Sequence, residues 1–276
     1  AKGAVKGRVI TEVYNNDKEV FSASAKTYLL DKWVFDRVKN FLDETEQIEE
    51  LKQKDQVVLF LHLLGMDTSG HIHKPHSERF TENLRFLDRG LREVVGLIES
   101  KFDDDKTAFI FTSDHGMTNR GSHGAGHHHE TETPFLAWGA GINYWKPAGE
   151  DFVTKTFVTI DGIKIPRYDI QQADAAPLMS SLIGTAIPTN SFGKLPYMYP
   201  NVTKTYLANA FSQNAYQLHT MYEKLAQQAA QKTFHFSFNL RESKIEEEIT
   251  FMDEQIRLSF TLKDYDDIIV KSHNMI

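Results

Sequence analysis

The chain contains no cysteine among its 276 residues. Disulfides are therefore excluded, as is any metal or redox site built on thiolates. Basic charge in excess is also lacking. Lys and Arg number 31 against 38 Asp and Glu, a formal net charge of −7 with the 12 histidines neutral. No basic cluster interleaved with aromatics occurs, which argues against a nucleic-acid-binding face. No apolar run approaches the roughly 18 residues needed to span a bilayer. The longest, Val57 to Leu64, is interrupted by His62 and reads as a buried strand. Residues Ala1 to Gly7 lack both the apolar middle of a signal peptide and an initiator Met, as expected of a piece of a longer protein. Internal repeats are absent, and the only low-complexity segment is His127-His128-His129. What is present is ordinary for a folded protein: 41% hydrophobic and 25% charged residues. The length suits one large α/β domain, or one domain with an appendage.

Periodicity supplies the organisation. Trp33, Val34, Val38, Phe41 and Leu42 fall roughly on one face of a helix over 31–42. The acidic, Lys-rich stretch Asp43 to Asp55 reads as solvated, and the strand at 57–64 follows. Leu84, Leu87, Leu91, Val94, Val95 and Ile98 recur at steps of three and four, predicting a helix from Glu78 to Lys101 that Asp103-Asp104-Asp105 closes. A strand Thr107 to Thr112, a polar Gly- and His-rich loop over 113–133 and a short strand Pro134 to Gly139 come next. Strand, helix, strand in this order is a βαβ unit and favours a parallel sheet. Further helices are expected over Ile170 to Ile183 and Thr203 to Gln231, separated by a turn-rich stretch. The Asn201-Val202-Thr203 sequon stands at the start of the second. In the tail, Phe234, Phe236 and Phe238 alternate as in a strand, and Glu242 to Ile256 reads as helical.

Two short stretches carry the chemistry. Gly65-Met66-Asp67-Thr68-Ser69-Gly70-His71 follows the first apolar run. Thr112-Ser113-Asp114-His115-Gly116, with Gly121-Ser122-His123-Gly124 close behind, follows the second. Open α/β sheets place their sites just beyond the carboxyl ends of strands, and Asp with His supplies the oxygen and nitrogen donors a borderline dication accepts. Asp67 and His71 are four apart, compatible with one helical turn or a tight Gly-containing loop. Asp114 and His115 are adjacent and need a bend, which Gly116 can supply. Asp-Thr-Ser-Gly alone is a frequent turn, and His62, His73 and His76 read as packed or solvated residues. Only the shared donor chemistry after both strands points to metal. Two dications about 4 Å apart hold both oxygens of a phosphoryl transfer. Asp67, His71 and His123 fill one such site with a position left open, whereas Asp114 and His115 leave the other short of a carboxylate and a nucleophile.

These residues resemble the alkaline phosphatase superfamily, in which an Asp-x-x-x-His pair, an Asp-His pair and a later His bind two metals. His62 to His71, Ser113 to Thr118 and Gly121 to Gly124 are similar to the GPI ethanolamine phosphate transferases. Trp138 to Gly141 and Gln172 to Gly184 look like the branch acting on the first mannose. The resemblance runs from Ala1 through Trp33-Val34-Phe35-Asp36 to about Pro196, and the remainder matches loosely. It implies an α/β fold with an alkaline-phosphatase-like core, a mostly parallel sheet and flanking helices, lacking its N-terminal part. Residues 1–200 would be the C-terminal portion of a lumenal catalytic domain, with 201–276 a helical or mixed appendage.

The resemblance further implies two divalent ions, expected to be zinc although manganese accepts the same donors. It implies transfer of phosphoethanolamine from phosphatidylethanolamine to a mannosylated GPI precursor at the endoplasmic reticulum membrane, held there by segments outside this chain. The family's first metal-binding Asp and its nucleophilic Thr would lie upstream of Ala1, so no catalytic nucleophile is expected here and the chain alone should be inactive. Relatives tend to have proline after His127, so His127 is expected behind the ligands, at the substrate, or in place of His123. The rival readings are a metal-dependent phosphodiesterase or phosphatase of the same superfamily, and a non-catalytic metal- or glycan-binding module.

Overall fold

The computed structural model describes residues 8–14, 26–143, 157–160, 162–230 and 269. It divides into two compact units, residues 1–105 with 112–135, and residues 106–111 with 136–276. The strand and helix expected in the tail, at Phe234 to Phe238 and Glu242 to Ile256, lie outside the described residues.

The first unit is helical. Helix α1 (Tyr28–Asp43) buries Leu30, Asp31, Val34, Phe35, Val38 and Leu42 on one face. Helix α2 (Thr45–Lys52) occupies the acidic stretch that reads as solvated, with Ile48 as its buried anchor. Helix α3 (Gly65–His73) is short, α4 (Glu78–Phe102) is long, and α5 (His128–Thr131) is a single turn. In α4, Asn83, Leu87, Gly90, Val94 and Ile98 form the buried stripe, at the steps of three and four that one helical face demands. Each apolar side chain buried this way contributes about 1.5–3 kcal/mol. Ser77 caps α4, its hydroxyl accepting the Phe80 N–H at 3.1 Å. Asp103 ends it in the left-handed conformation, φ 44°, and donates its N–H to the Glu99 carbonyl. At Gly90 an added Cβ would enter the Phe35 ring, so α1 and α4 approach closely there. The buried Thr27 hydroxyl and Asn83 amide hydrogen-bond across the same pair of segments.

The expected strand Val57 to Leu64 is not formed: residues 57–64 have no regular structure, and Phe60 is 82% exposed. A strand needs a neighbour to satisfy its backbone N–H and C=O groups. Among the described residues nothing pairs with this segment, so apolar composition alone does not make it a strand. The βαβ unit read from the sequence therefore lacks its first member. Among the described residues the sheets are two-stranded. Strand β1 (Ala108–Thr112) pairs with β2 (Phe135–Gly139), and β3 (Phe157–Ile160) pairs antiparallel with β4 (Ile163–Pro166).

The second unit gathers around α6 (Ala175–Leu182), preceded by a 3₁₀ turn at Gln172–Asp174, and α7 (Lys204–Ala230). Leu178, Leu195, Ala208 and Phe211 are fully or almost fully buried. Asn214, also buried, ties the intervening loop down: its side chain accepts the Leu195 N–H at 2.8 Å and donates to the Gly193 carbonyl. The expected helix beginning at Ile170 starts later because the Asp174 carboxylate caps the turn, accepting N–H groups of Gln171 and Lys194.

Candidate metal centre

The candidate ligands come from three segments of the first unit. Asp67 and His71 sit one turn apart on α3, so both project from the same side of it. Asp114 and His115 lie in the bend beyond β1, and His123 lies in the following loop. The structure brings Asp67, His71 and His123 together: Asp67 Oδ1 is 3.3 Å from His71 Nε2 and 3.5 Å from His123 Nε2, and the two Nε2 atoms are 3.1 Å apart. Three ligands about 2.0–2.1 Å from a tetrahedral zinc stand about 3.4 Å from one another. The triangle already has those proportions. His115 Nε2 lies 3.9 Å from Asp67 Oδ1 and 3.7 Å from Asp114 Oδ2, and its ring stacks on that of His123 at 3.6 Å between centroids. Asp114 is the outermost of the five, with a side chain 77% exposed.

Two observations concern fit to a dication. Asp67 Oδ1 is shielded from solvent yet accepts no hydrogen bond. An unpartnered carboxylate oxygen is costly to bury, and a cation among the three facing imidazole nitrogens would satisfy it. In addition, His71 Nδ1 lies 2.9 Å from the Gly121 carbonyl and His115 Nδ1 lies 2.9 Å from the Gly116 carbonyl. A carbonyl can only accept, so each Nδ1 carries a proton, and Nε2 is the nitrogen that each ring turns inward. This outer support is the one that metal-bound histidine ordinarily receives. The residues present fit a dication.

Sequence reasoning missed the groups that hold these ligands. Gly121 adopts φ +74°, with the Gly70 carbonyl and the Lys74 side chain where a Cβ would go. Gly70 itself packs on Met117, where a Cβ would strike the sulfur. Asp31 accepts the N–H of Gly65, the first residue of α3. Asp31 had one legible signal, an acid on the apolar stripe of α1, whereas the two carbonyls had none. His127 does not join the Asp67 cluster. It caps α5 (His128–Thr131), accepting the His129 N–H, and Glu130 reaches back to the N–H groups of Ala125 and His127. Burial works against the charge on Glu130, but those N–H groups, that of Gly126 and the His127 ring outweigh it and hold the carboxyl below its ordinary range. His62 and His76 are exposed.

A family model described as type I phosphodiesterase / nucleotide pyrophosphatase matches residues 4–273. GPI ethanolamine phosphate transferase 1 of Mus musculus is 44% identical over 245 residues, covering 86% of this chain and 26% of that protein. The Homo sapiens protein of the same name is 42% identical over 245 residues, with the same two coverages. That of Aspergillus oryzae is 36% identical over 283 residues, covering 100% of this chain and 28% of the relative. The chain thus spans about a quarter of the length of the curated relatives it matches. No solved structure matches. Among the described residues no helix is long and apolar enough to cross a membrane.

Proposed function

Because the chain belongs to the type I phosphodiesterase / nucleotide pyrophosphatase family, we propose that it is part of a phosphoethanolamine transferase of GPI-anchor synthesis. The observation that carries this reading is the buried, unpartnered Asp67 Oδ1 faced by three imidazole nitrogens within 3.9 Å. In this reading Asp67, His71 and His123 hold one zinc ion, while Asp114 and His115 contribute to a second. Bound dications would draw charge from a phosphodiester's oxygens and lower the pKa of a coordinated hydroxyl. The protein's own part is positioning. The Gly121 and Gly116 carbonyls fix the imidazole tautomers, and the Asp31–Gly65 bond fixes the start of α3.

The substrates in this reading are phosphatidylethanolamine and the first mannose of a GPI precursor; the relatives are named as GPI ethanolamine phosphate transferases. Net transfer breaks the phosphorus–oxygen bond to diacylglycerol and forms one to the mannose hydroxyl, whose proton ends on diacylglycerol. A Thr upstream of the residues present here is the intermediate acceptor, within an alkaline-phosphatase-like, mostly parallel α/β domain on the lumenal side of the endoplasmic reticulum membrane. The family's description also names phosphodiesterases and pyrophosphatases, which favours hydrolysis as the second reading.

The test uses the full-length protein in vesicles containing phosphatidylethanolamine. Turnover that depends on added mannosylated GPI precursor supports transfer, and release of phosphoethanolamine to water without acceptor supports hydrolysis. Activity equal to the parent in Asp67→Asn and His123→Ala would overturn both. Inertness of the parent protein itself would favour a non-catalytic metal- or glycan-binding module.

A further inference from the structure

A second convergence of metal-ligating side chains stands apart from the Asp67 cluster. His127, His128 and His129 are all exposed, and each offers a ring nitrogen within 4.8 Å of the other two. Their ring centroids are 4.2, 5.0 and 4.1 Å apart. Three consecutive residues do not ordinarily share a side. Along a strand they alternate, and around a helix they fan out by about 100° each. Here His127 is extended, φ −68° and ψ 147°, whereas His128 and His129 open α5. The change of backbone direction between them is what gathers the rings.

The turn that carries them is well anchored. Glu130, 4% exposed, accepts the N–H groups of Ala125 at 2.8 Å and His127 at 3.3 Å. The Glu130 carbonyl accepts the Gly116 N–H at 2.7 Å, and the His127 carbonyl accepts from Glu130 at 2.8 Å. The backbone beneath the three imidazoles is thus held from both sides, while all three residues stand exposed at the surface. Nitrogens within 4.8 Å must close to about 3.4 Å around a dication bound at about 2.0–2.1 Å, a movement within reach of exposed rings. An ion would compete with one hydrogen bond, the long 3.3 Å contact from the His129 N–H to His127 Nδ1.

We propose that His127, His128 and His129 form a surface site for one borderline transition-metal dication, distinct from the Asp67 centre. Three imidazoles and no carboxylate select zinc, nickel or copper over magnesium, calcium or manganese. The cluster uses none of the residues assigned to phosphoryl transfer, so its occupancy is independent of that reading.

Nickel is a suitable probe, counted per chain after equilibrium dialysis of the purified protein. The double variant His128→Asn/His129→Asn should bind one ion fewer than the parent, with an unchanged circular dichroism spectrum. Asp67→Asn/His123→Asn should keep the ion that the first variant loses. Because both exposed positions are replaced at once in the first variant, His129→Gln alone serves as a milder check and should weaken that one ion roughly tenfold or more. An equal nickel count in the parent and in His128→Asn/His129→Asn overturns the proposal. So does a count that falls only when Asp67 and His123 are changed.

Discussion

The buried carboxylate of Asp31 accepts the backbone N–H of Gly65 at 2.8 Å, joining positions 34 apart in the chain. Asp31 belongs to α1, and Gly65 is the first residue of the helix that presents Asp67 and His71. A Cβ at position 65 would collide with the carboxylate, so the contact requires glycine. The other carboxylate oxygen, Oδ2, is buried without a hydrogen bond. Burial pushes the Asp31 pKa up to about 6, against the Gly65 bond and the His62 ring, which both pull it down.

Asp31 holds its proton more tightly in the native state than in the unfolded chain, where its pKa is 3.8. Its contribution therefore favours folding most below the unfolded value and is lost as pH rises through about 6. Asp31→Asn keeps an acceptor for Gly65 and removes the titration. In melts between about pH 4 and pH 7 the variant should gain on the parent by on the order of 2 kcal/mol. A difference that stays constant with pH would show that burial does not hold the Asp31 proton.

Asp67→Asn should act in opposite directions with and without metal. Removing the charge from a carboxylate whose Oδ1 is shielded without a hydrogen bond leaves the metal-free protein as stable as the parent or more so. The same change should lessen the stabilisation by added zinc, to which the Asp67 centre of the parent contributes about 2.7 kcal/mol at a hundredfold excess over its Kd. Calorimetric scans with zinc and with chelator decide this, and equal zinc-induced shifts in the two proteins would remove Asp67 from the ligand set.

Gly121→Ala tests the carbonyl that orients His71. At φ +74° an L side chain is strained, and the new Cβ would meet the Gly70 carbonyl. The expected stability loss is about 1–3 kcal/mol. If the loop shifts, the Gly121 carbonyl leaves His71 Nδ1, and zinc affinity should fall roughly 10–100-fold. Chelator competition measures the second effect, and affinity unchanged despite a lowered Tm would separate the turn from the site.

Glu130→Gln should loosen α5 and the loop bearing His127. The Glu130 carboxyl titrates below its ordinary 4.5, so it stabilises the fold fully above that value, and this is lost as pH falls through the lowered native pKa. Amide exchange at Ala125 and His127 should quicken in the variant at neutral pH. Unaltered exchange there would mean that the carboxylate does not hold the turn.

Much of the helical unit was legible because burial follows local period. The stripe Leu87, Val94 and Ile98 and the caps at Ser77 and Asp103 stand in the sequence as they stand in the fold. The β3–β4 hairpin was also within reach, since Asp161-Gly162 between Val158 and Ile165 is a turn signal. Val57 to Leu64 misled because an apolar run states a need for burial but supplies no partner.

The sequence by itself determined the donor chemistry, through the residue types at 67, 71, 114, 115 and 123, and a four-residue spacing of Asp67 and His71 that suits a helical turn or a tight loop; the structure makes it a turn of α3. Tertiary structure alone decided that His123 closes the triangle, that Asp114 stays at the edge, and that His127 turns away to cap its own helix. The reason is physical: ligand identity is carried by side chains, whereas convergence and tautomer are fixed by backbone carbonyls at Gly116 and Gly121, which every residue possesses and no sequence pattern distinguishes.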